Sequence, residues 1–243
     1  MSAGWWDDAF RAAYGEVYGH RSDAQAAAEV AGLLPRLRRL AGPVVDAACG
    51  GGRHLAALRA AGIAAVGFDL SGDLLATARA RPACRGRLAR GDLRAPPFAS
   101  GCAAVLCLFT AFGYFDDDGN AACLAALAGM LAPGGVLVLD LPEPAALRAG
   151  LVPTSERTTA GGWRVHERRA LVGSRVEKDV EARPPGGETV RWRESVRLYE
   201  AGDLAAMAAG AGLVWQPPWP GLGGPEDRQG RLVTWLHRPA NAL

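Results

Sequence analysis

The chain has 243 residues, of which 49% are hydrophobic and 21% charged, so extensive disorder is excluded. Its formal net charge of +2 arises from 27 basic and 25 acidic residues, a smaller basic excess than a dedicated nucleic-acid-binding surface normally carries. The five cysteines include no C-x-x-C pair, so neither a disulfide framework nor a zinc site is indicated. No His/Cys/Asp cluster has the spacing of metal ligands, and we expect no bound metal.

The amino-terminal stretch is acidic rather than apolar. It contains Asp7 and Asp8 and has no hydrophobic core of the kind that a signal peptide requires. No segment reaches about 18 uninterrupted apolar residues, the length that a membrane-spanning helix needs. We therefore expect a cytoplasmic protein that makes no membrane contact.

Strand and helix patterns alternate along the first 150 residues. A helix is predicted over residues 22–40, because Ser22 or Asp23 can cap it and Gly42 and Pro43 end it. Short apolar runs then predict strands over residues 44–47, 64–68, 87–90, 103–109 and 136–140. The helices predicted between them cover residues 52–61, 71–81 and 117–131.

The pattern changes after residue 150. Residues 163–172, 174–183 and 188–199 have period-2 stretches rich in Arg, Glu and Val, separated by Gly and Pro, so we expect three antiparallel strands that form a meander. The last predicted elements are a helix over 203–211 and strands over 213–216 and 231–238. The whole pattern predicts a doubly wound α/β fold with a mostly parallel, seven-stranded sheet and an inserted antiparallel β-meander.

The junction between the first predicted strand and the next helix is rich in glycine. It reads VVDAACGGGRH, so that Asp46 ends the strand and three glycines precede the helix. Glycines let a ligand approach the backbone, and a helix N-terminus offers free N–H groups. Acids also end the next two strands: Asp69 can accept hydrogen bonds from a ribose diol, and Asp92 can meet the exocyclic amine of an adenine. Together these residues predict an adenosine-containing ligand at the carboxyl edge of the sheet.

Two adenosine cofactors compete for this site. A dinucleotide fingerprint needs a small third residue in G-x-G-x-x-G/A, where this chain has Leu55. S-adenosylmethionine needs no phosphate site, and the amino group of its methionine half suits Asp46. We therefore favour S-adenosylmethionine over a dinucleotide.

Two longer motifs resemble a known family. Residues 46–54 (DAACGGGRH) and residues 108–115 (LFTAFGYF) are similar to motifs of class I S-adenosylmethionine-dependent methyltransferases, and more narrowly of a bacterial small-molecule subgroup. Ala48 replaces the first glycine of the family's acidic-x-Gly-x-Gly-x-Gly signature. The resemblance extends to residues 14–21, 133–135 and 194–199, and so covers most of the chain.

The resemblance implies a Rossmann-like domain that binds S-adenosylmethionine and releases S-adenosylhomocysteine. The cofactor-binding residues that it implies are Tyr14, Arg21, Asp46, Ala48, Cys49, Gly50, Gly52, Asp69, Leu70, Asp92, Leu93 and Leu108. Among them, Arg21 would pair with the methionine carboxylate and the Leu108 backbone would meet the amino group. Residues 1–42 would form a helical cap over this site, residues 43–150 and 201–243 the cofactor-binding domain, and residues 151–200 the inserted meander, as lid, substrate surface or dimer surface.

Tyr114 is the candidate catalytic residue, because it follows the fourth strand at the rim where a nucleophile must lie. It would orient the substrate or handle its proton; alternatively, it packs with Phe112 and Phe115 as an aromatic wall. The candidate substrate-binding residues are Phe112, Glu143 and Trp219. Glu143 stands where relatives commonly have Asn, and the loop around Trp219 also departs from theirs, so both are expected to border a substrate cavity.

The favoured function is methyl transfer to an O or N nucleophile of a small metabolite, by in-line displacement that depends mainly on proximity and orientation. The alternatives are an RNA or protein methyltransferase, or a non-catalytic module that binds S-adenosylmethionine. Mixed charge on the meander strands argues against a nucleic-acid partner. We also expect that a homodimer, if one forms, uses the meander.

Overall fold

The computed structural model of the chain describes residues 4–19, 21–216, 219–220, 222 and 230–240, without the side chains of residues 7, 8, 12, 219 and 220. The helices are α1 (Trp5–Ala9), α2 (Ala12–Val17), α3 (Asp23–Leu37), α4 (Arg53–Ala60), α5 (Gly72–Ala80), α6 (Asp117–Gly129), α7 (Pro144–Gly150) and α8 (Ala201–Gly210), with a 3-10 helix over Pro82–Cys84. The strands are β1 (Val44–Ala47), β2 (Ala65–Asp69), β3 (Leu88–Arg90), β4 (Cys102–Cys107), β5 (Leu131–Pro142), β6 (Thr154–Thr158), β7 (Arg164–Val172), β8 (Arg175–Arg183), β9 (Val190–Arg197), β10 (Val214–Trp215), β11 (Trp219–Pro220) and β12 (Arg231–His237).

Seven strands form the main sheet in the order β10-β12-β5-β4-β1-β2-β3. The five strands from β5 to β3 run parallel, whereas β12 and β10 are antiparallel to their neighbours. The two-residue strand β11 also pairs with β12. Every residue of β4 is buried, as expected for a parallel strand that is covered on both faces. The predicted doubly wound, mostly parallel sheet is therefore confirmed.

The strand order reverses at β1. This strand pairs with β2 on one side and with β4 on the other, so the chain crosses to opposite halves of the sheet from this point. In an open α/β sheet such a reversal leaves a crevice at the carboxyl ends of the strands. Side chains alternate between two buried clusters: Val45 packs with Leu124 in one, and Val44 packs with Leu55 in the other.

Strands β6 to β9 form a separate antiparallel sheet in sequence order, which confirms the inserted meander. It has one strand more than expected, since β6 reads TSERT and has no apolar residue to indicate a strand. One face of this sheet packs against α1 and α2. Val17 and Tyr18 lie in a buried cluster there with Val180 and Trp192.

The sequence predictions do not include α1, α2 and α7. α1 and α2 have five and six residues, too few to show a helical period. Within the described ranges, no helix is long and apolar enough to cross a membrane. In the same ranges, no group of three or more His, Cys, Asp or Glu side chains could hold a metal ion.

Candidate active site

A cavity of about 360 Å³ lies at the carboxyl edge of the main sheet, where the strand order reverses. The ends of β1, β2 and β4, the segment after β3, and the helices α1 and α2 contribute its walls. The candidate site residues that line it are Tyr14, Arg21, Asp46, Ala48, Cys49, Gly50, Asp69, Leu70, Asp92, Leu93, Leu108 and Tyr114. The structure thus brings together twelve residues that are spread over a hundred positions of the chain.

The glycine-rich junction makes a tight left-handed turn beside the cavity. Ala48, Gly50 and Gly52 have φ angles of +56°, +51° and +75°. A Cβ atom at Gly50 would meet only the Leu74 side chain, at 3.8 Å, so this turn leaves open space next to the backbone. At Gly52 a Cβ atom would lie 3.0 Å from Ala78 Cβ and from Cys84 Sγ. Gly52 therefore permits close helix packing and does not line the cavity.

Asp69 ties this junction to the end of β2. Its Oδ2 accepts a hydrogen bond from the Gly50 N–H at 2.8 Å, and its Oδ1 accepts one from the Ser71 N–H at 2.8 Å. Burial raises the pKa of Asp69, while these backbone hydrogen bonds oppose the rise. Each carboxylate oxygen has a further lone pair, so the group can still accept hydroxyl donors from the cavity.

Asp46 is a buried acid with an unsatisfied oxygen. It is the penultimate residue of β1 and lines the cavity, and its Oδ2 has no hydrogen-bond partner among the described residues. Burial raises the pKa of Asp46 to about 6. A buried acceptor without a donor is costly, and a cationic ligand group in the cavity would remove that cost.

Asp92 already has a cationic partner, Arg94, which the sequence analysis did not single out. The Arg94 guanidinium donates to both carboxylate oxygens, at 3.0 Å from Nε and 2.7 Å from Nη2. These hydrogen bonds lower the pKa of Asp92. The Arg94 guanidinium also lies 4.3 Å from the centroid of the Phe115 ring. Any amine that Asp92 meets in the cavity therefore shares the carboxylate with Arg94.

A strained turn follows β4. Phe109 and Thr110 have φ angles of +59° and +57°, a backbone conformation that non-glycine residues rarely adopt. Asp140 at the end of β5 holds both residues: its Oδ2 accepts from the Phe109 N–H at 2.6 Å, and its carbonyl accepts from the Thr110 N–H at 3.0 Å. The turn positions Leu108 and the Phe109 ring on the cavity wall. No local sequence signal indicates it.

Three arginines surround the Phe109 ring. The guanidinium carbons of Arg21, Arg231 and Arg53 lie 4.4, 4.8 and 5.1 Å from its centroid. Such stacking is favourable because the face of an aromatic ring carries partial negative charge. Cations from the segment before α3, from α4 and from β12 thus converge on this ring, which itself lines the cavity.

Arg231 belongs to a buried ionic network. It donates to both oxygens of Asp140, and its Nη1 lies 2.6 Å from Glu29 Oε1. The other oxygen of Glu29 lies 2.6 Å from His54 Nε2. Burial alone would raise the pKa of Glu29, but the hydrogen bonds from His54 and Arg231 lower it to about 2. This network links α3, α4, β5 and β12 behind the cavity.

The remaining wall is aromatic. The Tyr114 ring packs against Trp5 and Phe10, with centroids 4.8 and 5.6 Å apart. Among the described residues, none forms a hydrogen bond with its hydroxyl, whereas Tyr14 Oη accepts from Arg21 Nη1 at 3.0 Å. Burial raises the pKa of Tyr114 well above its ordinary value, so the phenol is neutral at physiological pH. A neutral phenol at this place can donate or accept a hydrogen bond.

Two of the three candidate substrate residues, Phe112 and Glu143, do not line this cavity. Phe112 is fully buried against the Tyr199 ring, 5.5 Å away between centroids. Glu143 caps α7, accepting hydrogen bonds from the N–H groups of Ala145 and Ala146, and does not line the cavity. The side chain of Trp219 lies outside the described residues; its backbone pairs with β12.

The cavity fits S-adenosylmethionine in its polar groups. The unpartnered Asp46 carboxylate suits an ammonium group, Asp69 suits a ribose diol, and the open space at Gly50 admits a ligand next to the backbone. The aromatic wall around Tyr114 and Phe10 suits a sulfonium group, since cations are favoured near aromatic faces.

Comparisons with known proteins agree with this reading. A family profile described as a methyltransferase domain matches residues 44–135. The chain is 31% identical to a dTDP-3-amino-3,6-dideoxy-alpha-D-glucopyranose N,N-dimethyltransferase of Streptomyces fradiae, over 83% of this chain and 80% of the relative. It is 30% identical to a dTDP-3-amino-3,4,6-trideoxy-alpha-D-glucopyranose N,N-dimethyltransferase of Streptomyces venezuelae, over 78% and 83%.

A solved structure also resembles this chain over almost its whole length. CalS10 of Micromonospora echinaspora, an amino pentose methyltransferase solved with bound S-adenosylmethionine, superposes with a TM-score of 0.68 at 26% identity, over 98% of each chain. Sequence motifs, cavity chemistry and full-length relatives therefore converge, and the chain belongs to the class I S-adenosylmethionine-dependent methyltransferases of the small-molecule type.

Proposed function

We propose that this enzyme methylates the amino group of an amino sugar, with S-adenosylmethionine as donor. The relatives support an amino acceptor, since two of them are named as N,N-dimethyltransferases of amino sugars. The observation that carries the proposal is Tyr114: it lines the cavity, its phenol is neutral, and no described residue hydrogen-bonds its hydroxyl. A neutral hydroxyl can hold a neutral amine without protonating it.

The cofactor would be held along the carboxyl edge of the sheet. Asp46 would pair with its amino group, Asp69 would bind the ribose, and Asp92 with Leu93 would border the adenine. When bound, S-adenosylmethionine supplies a methyl group on a sulfonium that already carries its leaving group.

Positioning would account for most of the rate enhancement. The Tyr114 oxygen would accept an N–H of the acceptor, which turns the nitrogen lone pair toward the methyl group. The rings of Phe10, Tyr14 and Phe109 would exclude water from the same space. Orientation of this kind can contribute roughly 7–11 kcal/mol.

The partner and location assignments belong to the same proposal. The outer face of the meander pairs its charges across strands, Arg193 with Asp179 at 2.7 Å and Arg191 with Glu181 at 2.9 Å. Mixed charge of this kind supports a small-molecule acceptor rather than a nucleic acid. We place the enzyme in the cytoplasm, and a homodimer through the meander stays a prediction.

Methyl tracing tests the proposal. The enzyme is incubated with S-adenosylmethionine labelled in its methyl group, first with dTDP-3-amino-3,6-dideoxyglucose as probe and then with extract of its host, and small molecules, RNA and protein are separated. Label on the nitrogen of a small amino sugar supports the proposal. Label in RNA or protein, or on an oxygen atom, would overturn the proposed acceptor class. If the protein bound S-adenosylmethionine tightly but transferred no methyl group, it would be a non-catalytic binder instead.

Replacement of Tyr114 tests its part in the reaction. Tyr114→Phe removes one neutral hydrogen bond to the acceptor, so we expect kcat to fall by about three- to tenfold. Affinity for S-adenosylhomocysteine, measured by calorimetry, is expected to stay unchanged. Unchanged turnover would leave Tyr114 with the role of an aromatic wall only.

A further inference from the structure

We propose that α1, α2 and the meander form one clamp, which opens and closes over the cavity as a unit and so controls exchange of the cofactor. The clamp consists of residues 5–18 and 154–197. The inference rests on the cofactor placement proposed above. It goes beyond that placement because it assigns a joint function to two segments from opposite halves of the chain.

The two parts of the clamp share a hydrophobic core of their own. Among the described residues, every buried member of this core belongs either to the amino-terminal segment (Ala9, Val17 and Tyr18) or to the meander (Val165, Val180, Ala182 and Trp192). The strands of the main sheet contribute to two other clusters. Helices of five and six residues are not stable by themselves in water, so α1 and α2 depend on the meander for their structure.

The end of α2 is bonded to one end of the meander. Thr159 Oγ1 and the Gly161 N–H donate to Glu16 Oε1, at 2.5 and 3.1 Å. Arg157 Nη2 donates to the Val17 carbonyl at 2.9 Å. These hydrogen bonds join the last turn of α2 to β6 and to the turn that follows it.

A buried ion pair fixes the next residue, Tyr18, to two strands of the meander. The Tyr18 hydroxyl donates to Glu194 Oε1 at 2.7 Å and accepts from Lys178 Nζ. Lys178 Nζ lies 2.7 Å from the other oxygen of Glu194, and the exposed fractions of these two side chains are only 18% and 15%. Buried charges are costly to separate, so α2 and the meander stay joined when weaker contacts open.

Two contacts that close the clamp on the cofactor domain are hydrogen bonds between neutral groups. The Ser71 hydroxyl donates to the Phe10 carbonyl at 2.5 Å, and Trp5 Nε1 donates to the Tyr114 carbonyl at 3.4 Å. Neutral hydrogen bonds contribute less than those of charged groups, so these contacts open before the ion pair does. The Ser71 N–H also donates to Asp69, which places one of these contacts beside the ribose position.

The meander is anchored to the cofactor domain at the end that carries Arg175 and Arg197. The Arg197 N–H donates to the Gly113 carbonyl at 2.8 Å, and Arg175 Nη1 donates to the Phe115 carbonyl at 2.9 Å. Strands β8 and β9 have nine and eight residues, so their opposite ends lie roughly 25–30 Å away. Gly161, which binds the end of α2, lies at that opposite end. Rotation about the arginine anchor therefore moves α2 farther than the anchored end.

The cavity lies between the clamp and the main sheet. The clamp residues that line it come from α1, α2 and the residue between them: Trp6, Phe10, Tyr14, Gly15 and Tyr18. No described residue of the meander lines it. A cofactor at the carboxyl edge of the sheet is thus covered by α1 and α2 and has to leave past them. Because these helices are joined to the meander, their opening moves the meander as well.

Hydrogen exchange with and without S-adenosylhomocysteine tests the joint movement. We expect the ligand to slow amide exchange in residues 5–18 and, to a similar extent, in residues 159–165 and 183–190 of the wild type. Direct contact with the ligand does not explain protection in these meander residues, since they do not line the cavity. Protection of residues 5–18 without protection of the meander would overturn the proposal.

Variants at the junction of the two parts test their coupling. Glu16→Ala and Thr159→Val each remove a hydrogen bond between α2 and the meander, whereas Glu16→Gln retains an acceptor oxygen. Glu188→Ala, an exposed acid between β8 and β9, is the matched control. The dissociation rate of S-adenosylhomocysteine is measured by stopped-flow tryptophan fluorescence, and thermal unfolding confirms that each variant folds.

We expect Glu16→Ala and Thr159→Val to accelerate dissociation by about three- to tenfold, because α2 then opens without the meander. Glu16→Gln and Glu188→Ala should stay within about twofold of the wild type. In the double variant Glu16→Ala/Lys178→Met, the ligand should protect residues 5–18 but no longer residues 159–165.

Two outcomes would overturn the coupling. The first is that Glu16→Ala releases the ligand no faster than Glu188→Ala, and the second is that a folded double variant still transmits full protection to the meander. A wild-type enzyme that does not bind S-adenosylhomocysteine would instead contradict the cofactor placement on which the inference rests.

Discussion

Asp46 gives the cofactor-free enzyme a pH-dependent stability. Its pKa is raised from 3.8 to about 6, so between these values the folded state retains a proton that the unfolded state releases. Stability therefore falls as pH rises through this window, and the full shift corresponds to about 3 kcal/mol. Asp46→Asn should remove that dependence. We expect the variant to be more stable than the wild type in urea at pH 7.5 and no more stable at pH 4.

Cofactor binding should show the opposite trend at the same residue. Asp46 must be ionised to pair with an ammonium group, so affinity for S-adenosylhomocysteine should rise between pH 5 and pH 7 in the wild type. Asp46→Asn should bind weakly with a flat profile. Parallel profiles for the two proteins would contradict the pairing of Asp46 with the amino group.

Asp69 offers a test of the ribose position. Asp69→Ala removes a charged hydrogen-bond acceptor that also holds the Gly50 and Ser71 N–H groups. We expect binding of S-adenosylhomocysteine to weaken by about 1.5–3 kcal/mol, or roughly 10–100-fold. Asp73→Ala, an exposed acid four residues later, is the control for calorimetry. Equal affinities of the two variants would exclude this placement.

At the scale of elements, a strand or helix can be predicted from the sequence when it is long enough and has a clear hydrophobic pattern. β4 and β5 are apolar and deeply buried, and they stand out in the sequence. β6 has only polar side chains, and α1 and α2 are too short for a helical period, so their existence depends on contacts with distant elements. The tertiary partners of these elements, rather than their own composition, decide their structure.

Arg175 joins the meander to the segment that carries Tyr114. Its Nη1 donates to the Phe115 carbonyl at 2.9 Å, and its Nη2 lies 3.0 and 3.2 Å from the carbonyls of Gly113 and Tyr114. Nε and Nη2 also donate to Ser195, at 2.8 and 2.9 Å. One guanidinium from β8 thus satisfies three consecutive carbonyls after β4.

Removal of Arg175 should loosen that segment. Arg175→Met removes one charged donor from each of the three carbonyls, which keep Asn120 Nδ2, the Arg197 N–H and Trp5 Nε1 as donors. We expect a loss of about 1–2 kcal/mol in the free energy of unfolding. Amide hydrogen exchange around residues 113–116 should accelerate, because the segment loses its side-chain link to β8 and keeps only the backbone bond from Arg197 to Gly113 on β9. Arg168→Met on the exposed face of the same sheet is the control. If both variants lost equal stability, Arg175 would have no special part in holding the two sheets together.

At the scale of the whole molecule, the buried network around Arg231 joins elements that are far apart in sequence. Glu29 and Arg231 are 202 positions apart, and both interact behind the cavity. Arg231→Met would leave two buried carboxylates, Glu29 and Asp140, without their shared cation. Breaking a buried pair in this way typically costs about 3–5 kcal/mol.

The measurement is urea denaturation at neutral pH. We expect Arg231→Met to show the full loss, and the double variant Asp140→Asn/Arg231→Met to recover part of it, because one uncompensated charge is gone. The single variant Asp140→Asn completes the comparison. If the double variant lost as much stability as the sum of the two single variants, Arg231 and Asp140 would be acting independently.

Separation along the chain also explains which parts of the site the sequence predicts. Asp46, Asp69 and Asp92 each lie within two residues of the carboxyl end of a strand, so parallel topology alone brings them to one edge. Glu29 looks like an ordinary helix acid, and nothing near Arg231 indicates a partner. Phe109 is the clearest case, since its left-handed backbone depends on Asp140, 31 positions away.

The separation of Glu29 from Arg231 also orders events during translation. The ribosome makes both buried acids, Glu29 and Asp140, before it makes the arginine that neutralises them. A nascent chain that stops before β12 carries carboxylates that it can bury only at high cost. We expect such a product to be more open to proteases than a chain in which β12 is in place. The network therefore couples the burial of these two acids to the arrival of β12 in the sheet.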